Sequence, residues 1–492
     1  MKRQREVLAA VRGRNWRFIS PRYATKPLPT LVIVTGLVAR LLFIPYTAGS
    51  DIPQFAGFAD TFLKRGLCFY KYSASYQAEG WPFPWPYPYG PLPALILASL
   101  RLVAKGGVVY YWENGVYHVY VAQDWVVATK AFFVLFDTLS AVLIYLALKR
   151  ALCKSALLAL MFYYLNPTTI YVSSIYGMFD AMPLSLILLS VLLLEGGVAK
   201  RLVGALAGGC LLAVATATKM NALYPALFAV LTYVFTRGAG SSKLKVAMLA
   251  GFSAGLLVQY LTFEVGCPSS LQSYIYSVLA VSKPTYNYPI VYSFNGLTNL
   301  ATYLHDVTRG DYLWVISASW ALGAAFLLVI AYPLMRGTRK LSISEAAYLS
   351  YLTYVTTYWR VNYQYLSILA GLAALYSFKA SEKFDSKKRA ISAIHAIVAA
   401  LWVFMFPTSW WARVHVEKPN NVIISILDAT SLKLLAQEAY LAYSLAFTLL
   451  GYAVLTLHVI SLCEFSSHAP LSRKSLTPCN LVERPLKPPG TP

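Results

Sequence analysis

Charge is scarce in this 492-residue chain. Only 13% of its residues are Asp, Glu, Lys or Arg, about half the share of an ordinary soluble domain. That excludes a charged, solvated globule and a chain held open by its own charge. Acid is scarcer still, with 20 Asp and Glu against 42 Lys and Arg. A net charge of +22 would suit nucleic acid if it were gathered on one solvated face. Here the basic residues fall in short clusters between apolar runs, the placement that positive-inside topology requires, so no nucleic-acid partner is expected. Cysteine is rare, and the six at 68, 153, 210, 267, 463 and 479 form no CxxC and no metal-ligand spacing, against a zinc site or a dithiol redox motif. What remains is apolar: 58% of residues are hydrophobic and the mean hydropathy is +0.55. The expected class is an all-α polytopic membrane protein.

Apolar runs able to cross a bilayer, about 20 residues each, begin near residues 29, 125, 155, 182, 202, 221, 246, 312, 342, 361, 390 and 437. They predict about twelve transmembrane helices. A basic arm, 1–28, precedes the first run, which reads as an uncleaved anchor. The segment "GPLPALILASLRLVAKG", 90–106, is short and interrupted by Arg101, so it fits either a span or an interfacial helix. Charge decides between them. With 91–104 outside the membrane, the internal loops after residue 124 carry twenty Lys and Arg and the external loops seven. Counting it as a span would invert every later loop against the positive-inside rule. Both termini are then cytoplasmic and 48–124 is one long external loop. The membrane core occupies 29–376, further C-terminal transmembrane helices occupy 377–466, and 467–492 is a cytoplasmic tail of disordered composition.

The long loop looks built. "SDIPQFAGFADTFLKRG" offers a Ser50 or Asp51 cap, Pro53 in the first turn, Phe55, Phe58 and Phe62 on one face, and Lys64, Arg65 and Gly66 at the end, which predicts a short amphipathic helix on the membrane surface. "WPFPWPYPYGP" mixes aromatic rings with prolines, unsuited to regular structure and suited to the headgroup zone. "VVYYWENGVYHVYV" alternates around Asn114-Gly115, a hairpin signal. Cys68 and Cys267 are both external in this topology and able to bridge in an oxidising compartment.

Four further features converge on the external side, all at helix ends: Asp51, "LNPTTIYVSSIYGMFDAMP" (165–183), "TKMN" (218–221) and "YWRVNYQYL" (358–366). Ionisable groups at membrane depth are costly and mark function more often than chance. The first-loop acid, the "YPYGP" run, the "NP…YGMFD" segment and "RVNYQY" together resemble the GT-C superfamily of membrane glycosyltransferases. The nearest resemblance is to its dolichyl-phosphate-mannose-dependent mannosyltransferases, from helix one to about residue 376.

The resemblance implies a GT-C-like fold with Asp51 as catalytic base and Asp180 as a nearby second acid. The expected activity is transfer of a single hexose, mannose favoured, from a polyprenyl- or dolichyl-phosphate sugar to an external lipid-linked glycan, glycolipid or protein. Arg360 and then Lys219 are candidates for the donor phosphate. Asn166, Tyr176, Gln364 and Tyr365 are candidates for sugar or acceptor hydroxyls. Residue 53 is Pro, so the paired-carboxylate metal motif of some members is absent; no cofactor is required, and a divalent cation stays open. "SWWARV" replaces the "WWDYG" of oligosaccharyltransferase catalytic subunits, against en bloc oligosaccharide transfer.

Plainer readings stand beside these. Asp51 can be only an N-cap and Asp180 a cap for the helix that follows. Arg360 and Lys219 can snorkel to headgroups. Asp60, nine residues from Asp51, falls on the opposite helical face. Asp137 is read as holding a neighbouring helix through Lys130 or a backbone partner, and His118, His305 and His415 as loop histidines. Rival functions are a transporter or lipid flippase, which would show broken helices and midplane charge, and a non-catalytic assembly subunit.

Overall fold

The computed structural model describes residues 27–73, 86–114, 116–151, 155–195, 201–235, 241–288, 290–336, 341–379, 386–401, 412–434 and 437–464. The basic arm up to residue 26, the C-terminal tail, "WPFPW" and "SWW" lie outside the described residues. Helices begin within four residues of each of the twelve expected starts. Four of them are long and apolar enough to cross a membrane by length and composition: Gln123–Arg150, Ser242–Gly266, Leu313–Arg336 and Glu438–Leu462. Their outward faces are apolar. Leu257, Val258, Leu328 and Val329 are exposed, a burden in water and no burden against lipid. The chain is a multi-pass membrane protein with further, shorter apolar helices. Among the latter, Pro91–Val103, Leu223–Phe235 and Tyr365–Ser377 have 13 residues each, roughly 20 Å at 1.5 Å per residue, less than a hydrocarbon core of about 30 Å.

One expected helix is broken. Ala156–Tyr164 stops at Asn166-Pro167, resumes as Pro167–Ile170 and widens into a π-helical turn over Tyr171–Tyr176. Pro167 cannot donate to the preceding turn, and the Asn166 side chain caps the restart by accepting from Thr168 N at 2.9 Å. Against this break packs Arg40, fully buried. Its guanidinium donates to Asp137 at 2.6 Å, to Gly36 O, to Tyr164 O and to Thr169 Oγ1. Asp137 also accepts from Tyr163 OH at 2.6 Å and Ser173 Oγ at 3.0 Å. The expected partner Lys130 is therefore wrong: Arg40, on Pro27–Leu41, holds Asp137. Lys130 turns the other way, onto Thr47 O at 2.6 Å, Ile44 O and Ile175 O at 3.2 Å each.

The 48–124 segment is ordered where it is described. A helix runs Asp51–Arg65 and ends at Gly66, as expected, but it does not lie on a surface. Residues 52–59 are all buried, with Phe55 and Phe58 packed on Phe133, Phe179 and Tyr87. Only the far face meets solvent, where Asp60 pairs with Arg101 at 2.8 Å. Tyr87 is likewise buried, so this end of the aromatic-proline run packs inside the protein. Cys68 and Cys267 form a disulfide across 199 residues.

The hairpin exists as β1 (Val108–Glu113) and β2 (Val116–Val121), with Glu113 opposite Val116 and Asn114 at φ +49°. A third strand, β3 (Ala412–Val416), joins β2 in parallel. His118 Nδ1 and His415 Nε2 are 3.2 Å apart across that pairing, so these two are partners rather than isolated loop histidines.

Candidate active site

Asp51 is the first residue of its helix, and several bonds fix the turn before it. Gly49 N donates to Tyr176 O at 2.7 Å, Ser50 Oγ and Tyr176 OH are 2.6 Å apart, and Trp125 Nε1 donates to Ile52 O at 2.8 Å. Ser50 occupies the N-cap position without a side-chain cap bond, so neither residue is spent on capping. The π-helical turn delivers Tyr176 and stops at Gly177. Its φ of +93° and the 2.5 Å separation between a would-be Cβ and Ile52 Cδ1 admit only glycine. Phe179 and Asp180 then lead into Ala181–Glu195.

Two other helix ends close the site. Leu202–Thr218 stops at Lys219. A would-be Cβ on Gly90 lies 1.4 Å from Ala217 O, so only glycine lets the "YPYGP" turn lie on that helix end, beside Tyr89. The loop 358–364 is braced from beneath: Phe294 N donates to Val361 O at 2.8 Å and Asn295 Nδ2 to Tyr358 O at 2.9 Å.

These pieces bring Asp51, Asp180, Lys219, Tyr176 and Tyr365 together. Tyr363 OH donates to Asp51 Oδ2 at 3.3 Å, and the Tyr176 and Tyr363 rings meet at 4.7 Å. Lys219 Nζ lies 2.7 Å from Asp180 Oδ2, both fully enclosed, and faces the rings of Tyr365, Phe179 and Tyr89 at 5.2, 5.4 and 5.7 Å. Burial pushes the Asp51 carboxyl above the usual carboxylate range. Tyr176, the Lys219 charge and Tyr363 oppose that rise, and the Asp180 charge adds to it. Burial also raises Asp180 against the pull of Lys219 and the neighbouring Asn221 amide. The site can therefore hold one carboxylate as a proton acceptor beside an acid and ammonium already paired.

The remaining candidates divide. Arg360 is half-buried with its guanidinium 5.9 Å over Trp359, on the side of the cluster where its charge reaches Tyr365. Gln364 is buried beside Tyr365. Asn166 is the cap of the helix break, its Oδ1 accepting from Thr168 N at 2.9 Å, ten residues before Tyr176. Lys219 does not snorkel, since Asp180 engages it. Sequence reasoning overlooked Tyr363, Tyr89 and Asn221, although each stands inside a segment it singled out. Among the described residues, no three His, Cys, Asp or Glu side chains gather as a metal site. No protein-family model matches the chain, and no curated protein matches it.

Proposed function

We propose that this protein is a GT-C-like hexosyltransferase of about twelve spans. In this reading its site lies on the outer face of the cell membrane, or in the equivalent lumen. It moves one hexose, mannose favoured, from a polyprenyl-phosphate carrier to a lipid-linked glycan, glycolipid or protein. The observation that carries the reading is the Asp51 carboxylate, held by Tyr363 at 3.3 Å within electrostatic reach of the Asp180–Lys219 pair, where four helix-end segments meet. A donor anchored in the bilayer suits a compartment without nucleotide sugars.

The acceptor hydroxyl oxygen attacks the anomeric carbon while Asp51 takes its proton. The bond from that carbon to the phosphate oxygen breaks, its electron pair leaves with the lipid phosphate, and configuration inverts. Arg360 stands to receive the growing phosphate charge, as cations do in such transfers. Lys219 reaches it only by sharing its bond to Asp180.

The test is transfer of radiolabelled hexose from synthetic polyprenyl-phosphate mannose or glucose by purified protein. Wild type should release carrier phosphate, and Asp51→Asn should do so at least about a thousandfold more slowly with donor affinity kept. Donor binding without turnover, and Asp51→Asn changing only stability, would move the catalytic reading aside. One observation favours a transporter or flippase as second reading: the broken helix 156–176 with its buried Arg40–Asp137 pair, features such proteins use. Arg40 and Asp137 are, however, fully occupied by hydrogen bonds, as in a structural staple. Carrier translocation in proteoliposomes lacking acceptor, abolished by Asp137→Asn, would favour it.

A further inference from the structure

We infer that Asp180 Oδ1, Asn221 Oδ1 and Gln364 Oε1 form a subsite for hydroxyl groups of the transferred hexose, making Asn221 and Gln364 the residues that read which sugar is carried. The inference rests on the hexosyltransferase reading. Each of the three oxygens is buried and, among the described residues, has no hydrogen-bond partner in normal geometry, the Asn221 amide lying close enough to Asp180 only to bias its charge, although buried acceptors are ordinarily satisfied. In two of the groups the other half is committed. Asp180 Oδ2 is on Lys219 at 2.7 Å. Asn221 Nδ2 donates to Tyr351 OH at 3.2 Å, and Tyr351 OH donates onward to Tyr365 O at 3.0 Å, which turns Asn221 Oδ1 away from that chain of bonds. Gln364 precedes Tyr365 and makes no side-chain cap bond, while the Tyr365 ring faces Lys219 Nζ at 5.2 Å. Asp180 is thus tied to Lys219, Asn221 through Tyr351 to Tyr365, and Gln364 is the chain neighbour of Tyr365.

Three unpaired acceptors select their ligand by chemistry. Ionised phosphate oxygens only accept, so the carrier phosphate cannot satisfy them, whereas a sugar offers several hydroxyl donors on a rigid ring. A divalent cation is the other oxygen-seeking ligand, but an ammonium 2.7 Å from Asp180 repels a second positive charge there. A site built to accept from a hydroxyl discriminates strongly against an analogue lacking it.

The experiment uses the full chain in nanodiscs with polyprenyl-phosphate mannose, glucose and single-position deoxy-hexose donors, comparing wild type, Asn221→Leu and Gln364→Met. Among the described residues Gln364→Met breaks no hydrogen bond of that side chain, so it serves where Asn221→Leu folds poorly. Each variant should raise KM for the natural hexose by about tenfold or more with kcat less affected. Wild type should lose the same factor on one deoxy analogue, and the variants should no longer distinguish that analogue from its parent. Wild-type turnover with unchanged deoxy ratios in both variants would overturn the subsite and leave the hexosyltransferase reading standing. Turnover that requires Mn²⁺, with the requirement raised in Asn221→Leu, would make the oxygens cation ligands and overturn it too. No turnover of any donor by wild type would overturn the hexosyltransferase reading itself and the subsite with it.

Discussion

Lys130 is the residue whose loss should do most damage for its size. It is fully buried, and its ammonium donates to Thr47 O at 2.6 Å, Thr47 Oγ1 at 3.0 Å, and Ile44 O and Ile175 O at 3.2 Å each. Ile44 and Thr47 end the segment that leads to Asp51, and Ile175 precedes Tyr176. One cation therefore pins the base-bearing turn to the tyrosine-bearing turn. Lys130→Met keeps the stem and removes the donors, stranding three buried carbonyls that cost about 1–3 kcal/mol each. Partial relaxation and the relief of a buried charge reduce the sum to about 3–5 kcal/mol. Reversible SDS titration in mixed micelles, followed by tryptophan fluorescence, measures it. Thr47→Val in a double-mutant cycle should couple to Lys130→Met by about 1 kcal/mol or more. A loss under 1 kcal/mol with no coupling would refute the clamp.

Asp51 yields a pH prediction. Because burial raises its folded value above the unfolded one, the folded state binds the proton more tightly. Stability is then greatest below the unfolded value and falls as pH rises through the folded one. Asp51→Asn should accordingly melt above wild type at pH 7 and equal it near pH 3, while wild-type transfer rises with pH through a midpoint above the ordinary carboxylate range. The β2–β3 pairing should respond in the opposite sense. Burial, then His118 and Arg413, lower His415, with Tyr120 stacked on it and Glu113 4.0 Å from His118. Its stabilisation is full above the unfolded value and lost on acidification, so amide exchange over 412–416, corrected for intrinsic rate, should be faster at pH 5 than at pH 7.5. Cys68→Ser should reduce stability, by up to about 5 kcal/mol in the chain-entropy account of a loop this long, and so lower the melting temperature, and reductant should change wild-type but not Cys68→Ser gel mobility. Gly90→Ala, whose Cβ meets Ala217 O, should cost about 1–3 kcal/mol and displace Tyr89 from Lys219, seen as lowered donor affinity.

Much of this protein was legible in the chain alone. Hydrophobic runs report helix positions because a bilayer demands apolar length whatever the packing, and twelve helix starts follow from that demand. Asn114-Gly115 reports its hairpin because the turn requires positive φ locally, and Asp51, Asp180 and Lys219 declare themselves by standing at helix ends where charge is costly. Tertiary structure alone decided the partners. Arg40 finds Asp137 across 97 residues, β3 finds β2 across nearly 300, and Tyr363 reaches Asp51 across 312. Asn166 shows the limit from the other side: "LNP" reads equally well as a helix end or as a break within one, and only the surrounding helices, with Arg40 supplying donors to Tyr164 O and Thr169, make the break tolerable. Local chemistry sets what each residue is able to do. Which oxygen faces which proton depends on how distant segments pack, and that carries no short-range signature.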